Sequence, residues 1–146
     1  MIATKHDIVS DTAPDVQATI RRRLDEIWDA ARLRDFDRLE SYHLYGPRFT
    51  AFKDGQPRGD AANCAASERA TFGMIESPEV DMRQLAIQVF GEVAVVTFDG
   101  HFMGRIHGAP IELDQQSTMV FVHVDDDWRI VHEHMSPLGG AARARP

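Results

Sequence analysis

The sequence has little cysteine, no long apolar run and no excess of positive charge. Cys64 is the single cysteine, so the chain cannot form an intramolecular disulfide or a thiolate-rich metal site. No apolar run approaches the roughly 18 residues that a membrane span needs, and residues 1–10 carry no apolar segment of the kind found in secretory signals. We therefore expect a cytoplasmic protein that does not enter a membrane.

The charge balance argues against polyanionic partners. Sixteen Lys and Arg residues against 23 Asp and Glu residues give a formal net charge of −7. Such a surface repels phosphate backbones, so we expect no nucleic-acid partner. The length of 146 residues and the hydrophobic content of 43% are ordinary for one globular domain. Residues 1–12 and 138–146 show no periodicity and are predicted to be flexible tails, which leaves 13–137 as the domain.

Helices are predicted in the first half of the chain. Thr12 and Pro14 are typical of a helix start, and an apolar stripe at helical spacing follows in Val16, Ile20, Leu24, Ile27 and Ala31. A second, short helix is predicted over 35–43 and ends at Gly46-Pro47, and an Ala-rich third helix over 61–75 ends at Ser77-Pro78.

Strands are predicted in the second half. Phe49 to Phe52 forms an early short strand, and from Met82 the apolar residues alternate with polar ones. Turns are predicted at 90–92 and 125–127, and a loop at 104–110. Helices followed by a meander of long strands predict an α+β domain in which a curved sheet wraps around helices.

The closing segment resembles a known family. Residues 128–136, Trp-Arg-Ile-Val-His-Glu-His-Met-Ser, together with Gln116-Ser117-Thr118, are similar to the C-terminal hairpin of nuclear transport factor 2-like proteins, in particular the SnoaL-like branch. They also resemble the association domain of calcium/calmodulin-dependent protein kinase II. The resemblance implies a single cone-shaped α+β domain, with N-terminal helices packed in a curved mixed or antiparallel sheet. It also implies a small-molecule pocket and a homodimer or larger homo-oligomer formed through the sheet.

The resemblance also assigns strand faces. It places Glu133 on the concave face among apolar side chains, and it places Gly100, Met119 and Met135 where the kinase association domain has pocket arginines. Those charges are absent here, so an acidic ligand is not expected. The predicted pocket-lining residues are Tyr42, Phe49, Phe72, Phe98, Phe102, Met119, Phe121 and Met135. Trp128 and Ile130 are placed on the convex face with His132 and His134.

Glu133 is the leading catalytic candidate. A carboxyl group in an apolar pocket has its ionised form disfavoured, so its pKa is expected to rise toward the range useful for proton transfer. The alternatives are that Glu133 pairs with an arginine such as Arg105 or Arg129, or faces solvent or a partner subunit. Tyr45, with Tyr42, could supply a phenolic hydrogen bond or could simply pack at the rim, and His101 is a reserve candidate.

His132 and His134 share one strand face and could bind Zn²⁺ if His123 or Asp125 completed the site. We expect no metal, because members of the family that use no metal close this strand with similar histidines, and we expect no cofactor. Which of Glu133 or the His132–His134 pair faces the pocket depends on where the strands bulge.

Two functions remain open. The first is a small-molecule-binding protein with an apolar pocket, of the isomerase, cyclase or hydrolase kind, that acts by general acid–base catalysis on a neutral apolar substrate. The alternative is a non-catalytic oligomerisation or adaptor domain that resembles the kinase association domain. Fold alone does not separate them.

Overall fold

The structure is a computed structural model and describes residues 4–138. It contains four helices within that range: α1 Lys5–Ser10, α2 Pro14–Arg32, α3 Phe36–Ser41 and α4 Ala61–Met74. The strands are β1 Thr50–Lys53, β2 Glu76–Phe90, β3 Val93–Ile106, β4 Ala109–Val124 and β5 Asp127–Pro137. The predicted C-terminal tail falls almost wholly outside the described residues. Within the described part, no helix is both long and apolar enough to cross a membrane.

The five strands form one mixed sheet in the order β1-β5-β4-β3-β2. Successive hairpins make β2 to β5 antiparallel, whereas β1 pairs with β5 in parallel, with Thr50 opposite His132 and Lys53 opposite Met135. The last strand therefore lies between the first strand and the fourth. Helices and a five-stranded mixed sheet share one core, and the predicted α+β single-domain fold is confirmed.

The predicted apolar stripe of α2 is buried in the core. Ile20 and Leu24 are fully buried, and Trp28 is 9% exposed. The helix starts differently from the prediction: Ala13 is the N-cap residue, with a left-handed φ of 47°, and Thr12 makes no cap. The Asp11 carboxylate accepts a hydrogen bond from the Ala13 amide at 2.8 Å, and this bond stabilises the left-handed backbone conformation at the start of the helix.

The segment that shows no periodicity near the N-terminus contains α1. Thr4 caps it, because the Thr4 hydroxyl accepts from the Asp7 amide while the Asp7 carboxylate accepts from the Thr4 amide. This reciprocal capping box can hold a six-residue helix without an apolar stripe. Such a helix escapes a search for periodicity.

The hairpin between β3 and β4 is tighter than predicted. Instead of a loop over 104–110, the strands continue to Ile106 and resume at Ala109. His107 and Gly108 make the turn with φ of 50° and 79°, which is the left-handed pair that a two-residue hairpin needs. β2 likewise begins at Glu76, ahead of the predicted start at Met82.

A bulge in β5 corrects the predicted faces of two residues. Val120 pairs with His132, but the next residue, Phe121, pairs with Ile130, so Val131 is the extra residue. The side-chain alternation shifts by one at that point. Trp128 and Ile130, predicted on the convex face, are instead buried in the core with exposures of 7% and 0%.

Candidate functional site

A cavity of about 380 Å³ opens between the helices and the sheet. Most of its wall is apolar, from Trp28 on α2 and Phe72 on α4 to Phe102 and Met119 on the strands. Polar side chains interrupt this wall at a few places: His43, Lys53, Asp54, Gln56, Ser67, Glu68, Thr71, Glu79, Gln115 and Glu133. An apolar cavity with a few polar groups is typical of small-molecule sites.

His43 lies just after α3 and is almost fully buried, at 4% exposure. Its backbone forms a bridge with Ile130 of β5, which ties the end of the helix to the sheet. Its Nδ1 donates to the Leu39 carbonyl oxygen at 2.9 Å. Because a carbonyl can only accept, this bond fixes a proton on Nδ1 and aims Nε2 at the cavity wall.

Two carboxylates meet at His43. Its Nε2 lies 2.6 Å from Oε1 of Glu133 on β5 and 3.4 Å from Oε1 of Glu68 on α4. Burial alone would lower the pKa of His43, but the hydrogen bonds and charges of Glu133 and Glu68 outweigh it and raise the pKa to about 10. The ring is therefore an imidazolium at neutral pH.

The pKa of Glu133 shifts in the direction opposite to the one expected. Its side chain is 3% exposed, and burial favours a raised pKa, but the hydrogen bond from His43 and the charges of His43 and Lys53 lower the pKa below its ordinary value. Glu133 does face the cavity, as the strand alternation predicts. The residue is a carboxylate paired with an imidazolium, and neither Arg105 nor Arg129 is its partner.

Glu68 completes the group and was not among the predicted site residues. It is 9% exposed, and its Oε2 is buried with no hydrogen-bond partner among the described residues. Cys64 lies one helical turn before it, with Sγ 3.8 Å from Glu68 Oε1 and 4.0 Å from Glu133 Oε2. Burial first, and then the charge of Glu133, raise the pKa of the Cys64 thiol to about 12, so it stays protonated.

Tyr45 packs against this group. Its ring stacks on His43 with centroids 4.7 Å apart, and its hydroxyl is buried without a hydrogen-bond partner in the described part of the chain. Burial, with the nearby charge of Glu68 and then the Cys64 thiol, raises the pKa of Tyr45 far above its usual range. The phenol therefore remains a potential donor.

The other predicted site residues divide into two sets. Phe72, Phe102, Met119 and Met135 line the cavity, as predicted. Tyr42, Phe49, Phe98 and Phe121 are instead buried in the core and lie outside the lining of this cavity. His101 also lies outside the cavity lining, and its Nδ1 is 2.6 Å from Asp114 Oδ1.

The possible metal ligands on β5 do not come together. His132 Nδ1 lies 2.8 Å from the Thr50 hydroxyl, and the His134 ring packs against Phe52. His123 instead lies 2.6 Å from Glu92. A different trio could hold a divalent cation, since ligand atoms of His43, Glu68 and Glu133 lie within 4.8 Å of one another. Such an ion would have to displace the Nε2 proton.

The positions of the missing pocket arginines are occupied by apolar groups. Met119 and Met135 line the cavity, and the ring of Phe102 lies across Gly100 so closely that a Cβ there would be 2.5 Å from Cε2. The positive charge on the wall comes instead from the His43 imidazolium and from Lys53 at the end of β1. Neither Lys53 nor His43 belongs to a recognisable sequence motif. The parallel pairing of β1 with β5 is what brings Lys53 to this wall.

Comparison with known proteins agrees with this architecture. A family model described as a SnoaL-like domain matches residues 20–139. No curated protein matches the chain. A structure from Streptomyces avermitilis, described provisionally as a dehydratase of the nuclear transport factor 2-like family, superposes with a TM-score of 0.77 at 19% identity, covering 86% of this chain and 99% of its own.

Two further structures have the same fold. A nuclear transport factor 2-like superfamily protein from Salmonella enterica has a TM-score of 0.75 at 20% identity, covering 85% of this chain and 92% of its own. The hub homology domain of calcium/calmodulin-dependent protein kinase II from Chlamydomonas reinhardtii has a TM-score of 0.68 at 18% identity, covering 84% and 98%. At these identities the likeness shows the fold alone.

Proposed function

The chain belongs to the SnoaL-like domain family, and on that premise we propose that it is an enzyme that binds a small, largely apolar molecule and moves a proton by general acid–base catalysis. One observation carries the proposal. An imidazolium lies between two buried carboxylates at the wall of an apolar cavity, with His43 Nε2 at 2.6 Å and 3.4 Å from Glu133 and Glu68. Structural ion pairs are common on protein surfaces but costly inside, so a buried one at a cavity points to function.

The three residues take different roles. Glu68 is the base, because its Oε2 has free lone pairs beside the cavity. His43 is the acid. The proton that it releases is the one on Nε2, which faces the carboxylates of Glu133 and Glu68, because the Nδ1 proton is held by the Leu39 carbonyl oxygen. Glu133 keeps that imidazolium charged and oriented through the 2.6 Å hydrogen bond. The catalytic role first expected of Glu133 is therefore exercised through His43, and Tyr45 packs the ring in place.

A base and an acid on one wall suit reactions that remove a proton from carbon and return or relay it. Isomerisation, cyclisation and loss of water all have this requirement. The Streptomyces avermitilis neighbour, described provisionally as a dehydratase, supports that class. No step in it requires a cofactor.

An assembly role is the second candidate. The hub homology domain among the neighbours supports it, and so does Phe52, which is 40% exposed beside His134 at the β1–β5 edge of the sheet. A homodimer formed through the sheet, in the cytoplasm, is compatible with catalysis in each subunit. Sedimentation of the full chain would measure this separately from turnover.

Deuterium exchange of 2-tetralone tests the catalytic proposal. This apolar ketone has acidic C–H protons, and NMR in D₂O follows their replacement. We expect the protein to accelerate exchange and Glu68→Gln to reduce the acceleration by about 100-fold or more, the usual contribution of a general base. Glu40→Gln is the matched control, because Glu40 is a half-buried glutamate that lies outside the cavity. Exchange at the buffer rate with the wild-type protein, or unchanged exchange in a folded Glu68→Gln, would refute the proposal.

A further inference from the structure

His43, Glu68 and Glu133 also meet the requirements of a metal site. They come from three separate elements, the segment after α3, helix α4 and strand β5, and their ligand atoms lie within 4.8 Å of one another. Their side chains are 1%, 10% and 3% exposed. This buried set of one imidazole and two carboxylates differs from the β5 histidines, because His132 and His134 contact separate partners.

The ring of His43 is held in the way that is usual for a metal-ligating histidine. Such a histidine binds the metal through one nitrogen and donates the N–H of the other to a backbone carbonyl or a carboxylate, which fixes the ring. Nδ1 of His43 makes this bond to the Leu39 carbonyl oxygen at 2.9 Å. Loss of the Nε2 proton would therefore leave a lone pair facing the carboxylates without any rotation of the ring.

The spacing of the ligand atoms suits a small divalent cation. In a tetrahedral site, Zn–N and Zn–O bonds of about 2.0–2.2 Å place the ligand atoms about 3.3–3.5 Å apart. Nε2 of His43 and Oε1 of Glu68 already lie 3.4 Å apart. The 2.6 Å between Nε2 and Oε1 of Glu133 is a hydrogen-bond distance, and it would lengthen by about 1 Å when a metal replaces the shared proton.

Glu68 brings a carboxylate oxygen that no described group uses. Its Oε2 is buried without a hydrogen-bond partner in the described part of the chain, and a buried acceptor left unpaired is costly. The charges also suit a divalent cation, because two carboxylates and a neutral imidazole balance it. Lys53, on the same cavity wall, carries an opposing charge.

We propose that Nε2 of His43 and the carboxylates of Glu68 and Glu133 bind Zn²⁺ or a similar transition-metal ion, with a fourth position open to the cavity. The nitrogen ligand favours such ions over Mg²⁺ and Ca²⁺, which take oxygen ligands. Binding releases the Nε2 proton to solvent, so the metal-bound protein cannot carry out the proposed proton transfer. Without a metal, His43 remains an imidazolium. The inference needs only the positions of the three side chains and goes beyond the proposed function.

Zinc titration of the full chain tests the site without substrate, after EDTA treatment and desalting and in competition with a chromophoric chelator. We expect a single tightly bound Zn²⁺ per chain that excess Mg²⁺ does not displace. Glu68→Gln should weaken zinc binding at least about tenfold. Lys53→Met should tighten it, because the opposing charge is removed, and a failure to fold cannot produce that result. His101→Gln is the matched control, since His101 lies beside Asp114 outside the cavity, and it should leave the affinity unchanged.

Any of four results would overturn the assignment: no saturable zinc uptake by the wild-type protein, wild-type affinity in a folded Glu68→Gln, weaker binding in Lys53→Met, or loss of the binding in His101→Gln. The proposed function is tested separately, because 2-tetralone exchange is measured with EDTA present. A protein that binds zinc and shows no exchange retains the metal site alone. One that accelerates exchange and takes up no zinc retains the proposed function alone.

Discussion

His43 and Glu133 stand ninety residues apart in the sequence, yet Nε2 and Oε1 lie 2.6 Å apart, and neither side chain is more than 3% exposed. Each charge makes burial of the other tolerable. Alone, either would carry a desolvation cost of several kcal/mol. The pair therefore couples the stability of the fold to the protonation state of the proposed catalytic group.

Replacing Glu133 by Gln should destabilise the protein by about 3 kcal/mol, because it removes the nearer of the two counter-charges of a buried imidazolium. Urea unfolding at neutral pH measures the change. Glu40→Gln is the control, since Glu40 also pairs with a cation, Arg69, but at the surface. There the same substitution should cost less than about 1 kcal/mol. Equal losses in the two variants would contradict the buried ion pair.

Stability should fall as the pH rises above about 6.5. His43 has a pKa of about 10 in the folded state against an ordinary 6.5, so folding favours its protonated form. That stabilisation is complete below the unfolded pKa and is lost progressively between the two values. From pH 6.5 to 8.5 the free energy of unfolding should drop by about 2 kcal/mol.

Denaturant unfolding across that range provides the measurement, and pH 8.5 is the upper limit so that no more than about half of the Cys64 thiol is ionised in the unfolded chain. His43→Gln is the matched variant, and its free energy of unfolding should vary less over the same interval. A wild-type stability that stays constant or increases from pH 6.5 to 8.5 would be inconsistent with an imidazolium in the folded protein.

Gly100→Ala should narrow the cavity. The added Cβ would lie 2.5 Å from Phe102 Cε2 and 2.8 Å from Cζ, so the ring must turn away from its strand, and Phe102 lines the cavity. We expect a loss of about 1–3 kcal/mol in stability and weaker binding of 2-methylnaphthalene, a small apolar probe. Gly73→Ala in α4 is the control, because nothing lies within 4 Å of the added Cβ, and it should stabilise the helix by about 0.5–1 kcal/mol. Undiminished ligand affinity in Gly100→Ala would show that the ring does not move into the cavity.

Cys64 should be unreactive in the folded protein. It is 2% exposed, and burial raises the pKa of its thiol to about 12. Since the thiolate is the reactive form, reaction with Ellman's reagent at pH 8 should be at least about 100-fold slower than in the same protein unfolded in guanidinium. One thiol per chain makes the readout unambiguous. Comparable rates in the two states would refute the buried, protonated thiol.

Local patterns predicted much of the fold. Helical spacing alone predicts the buried stripe that contains Ile20 and Leu24, and a single glycine predicts the turn at 90–92. The alternation from Met135 back to Glu133 also placed Glu133 correctly on the cavity side. The same alternation gave the wrong faces for Trp128 and Ile130, on the N-terminal side of Glu133. The extra residue Val131 shifts the alternation there, and nothing in the sequence around Val131 marks a bulge.

The chemistry of the site was less accessible to sequence. The pKa of Glu133 depends on a partner ninety residues earlier, so reasoning from its apolar strand neighbours gave the wrong direction. Glu68 lies on a helix without a clear apolar stripe, and only its packing shows that its carboxylate is buried. Spacing along the chain carries no signal for groups that meet through tertiary contacts.

The position of β5 between β1 and β4 determines the order in which the molecule can be completed. His43, Lys53 and Glu68 leave the ribosome early, but β1 gains its long-range partner only with Thr50 opposite His132 near the C-terminus. Pairings so distant in sequence form late, because loop closure must precede them. The group of His43, Glu68 and Glu133 therefore cannot come together until β5 has been synthesised and has paired with β1.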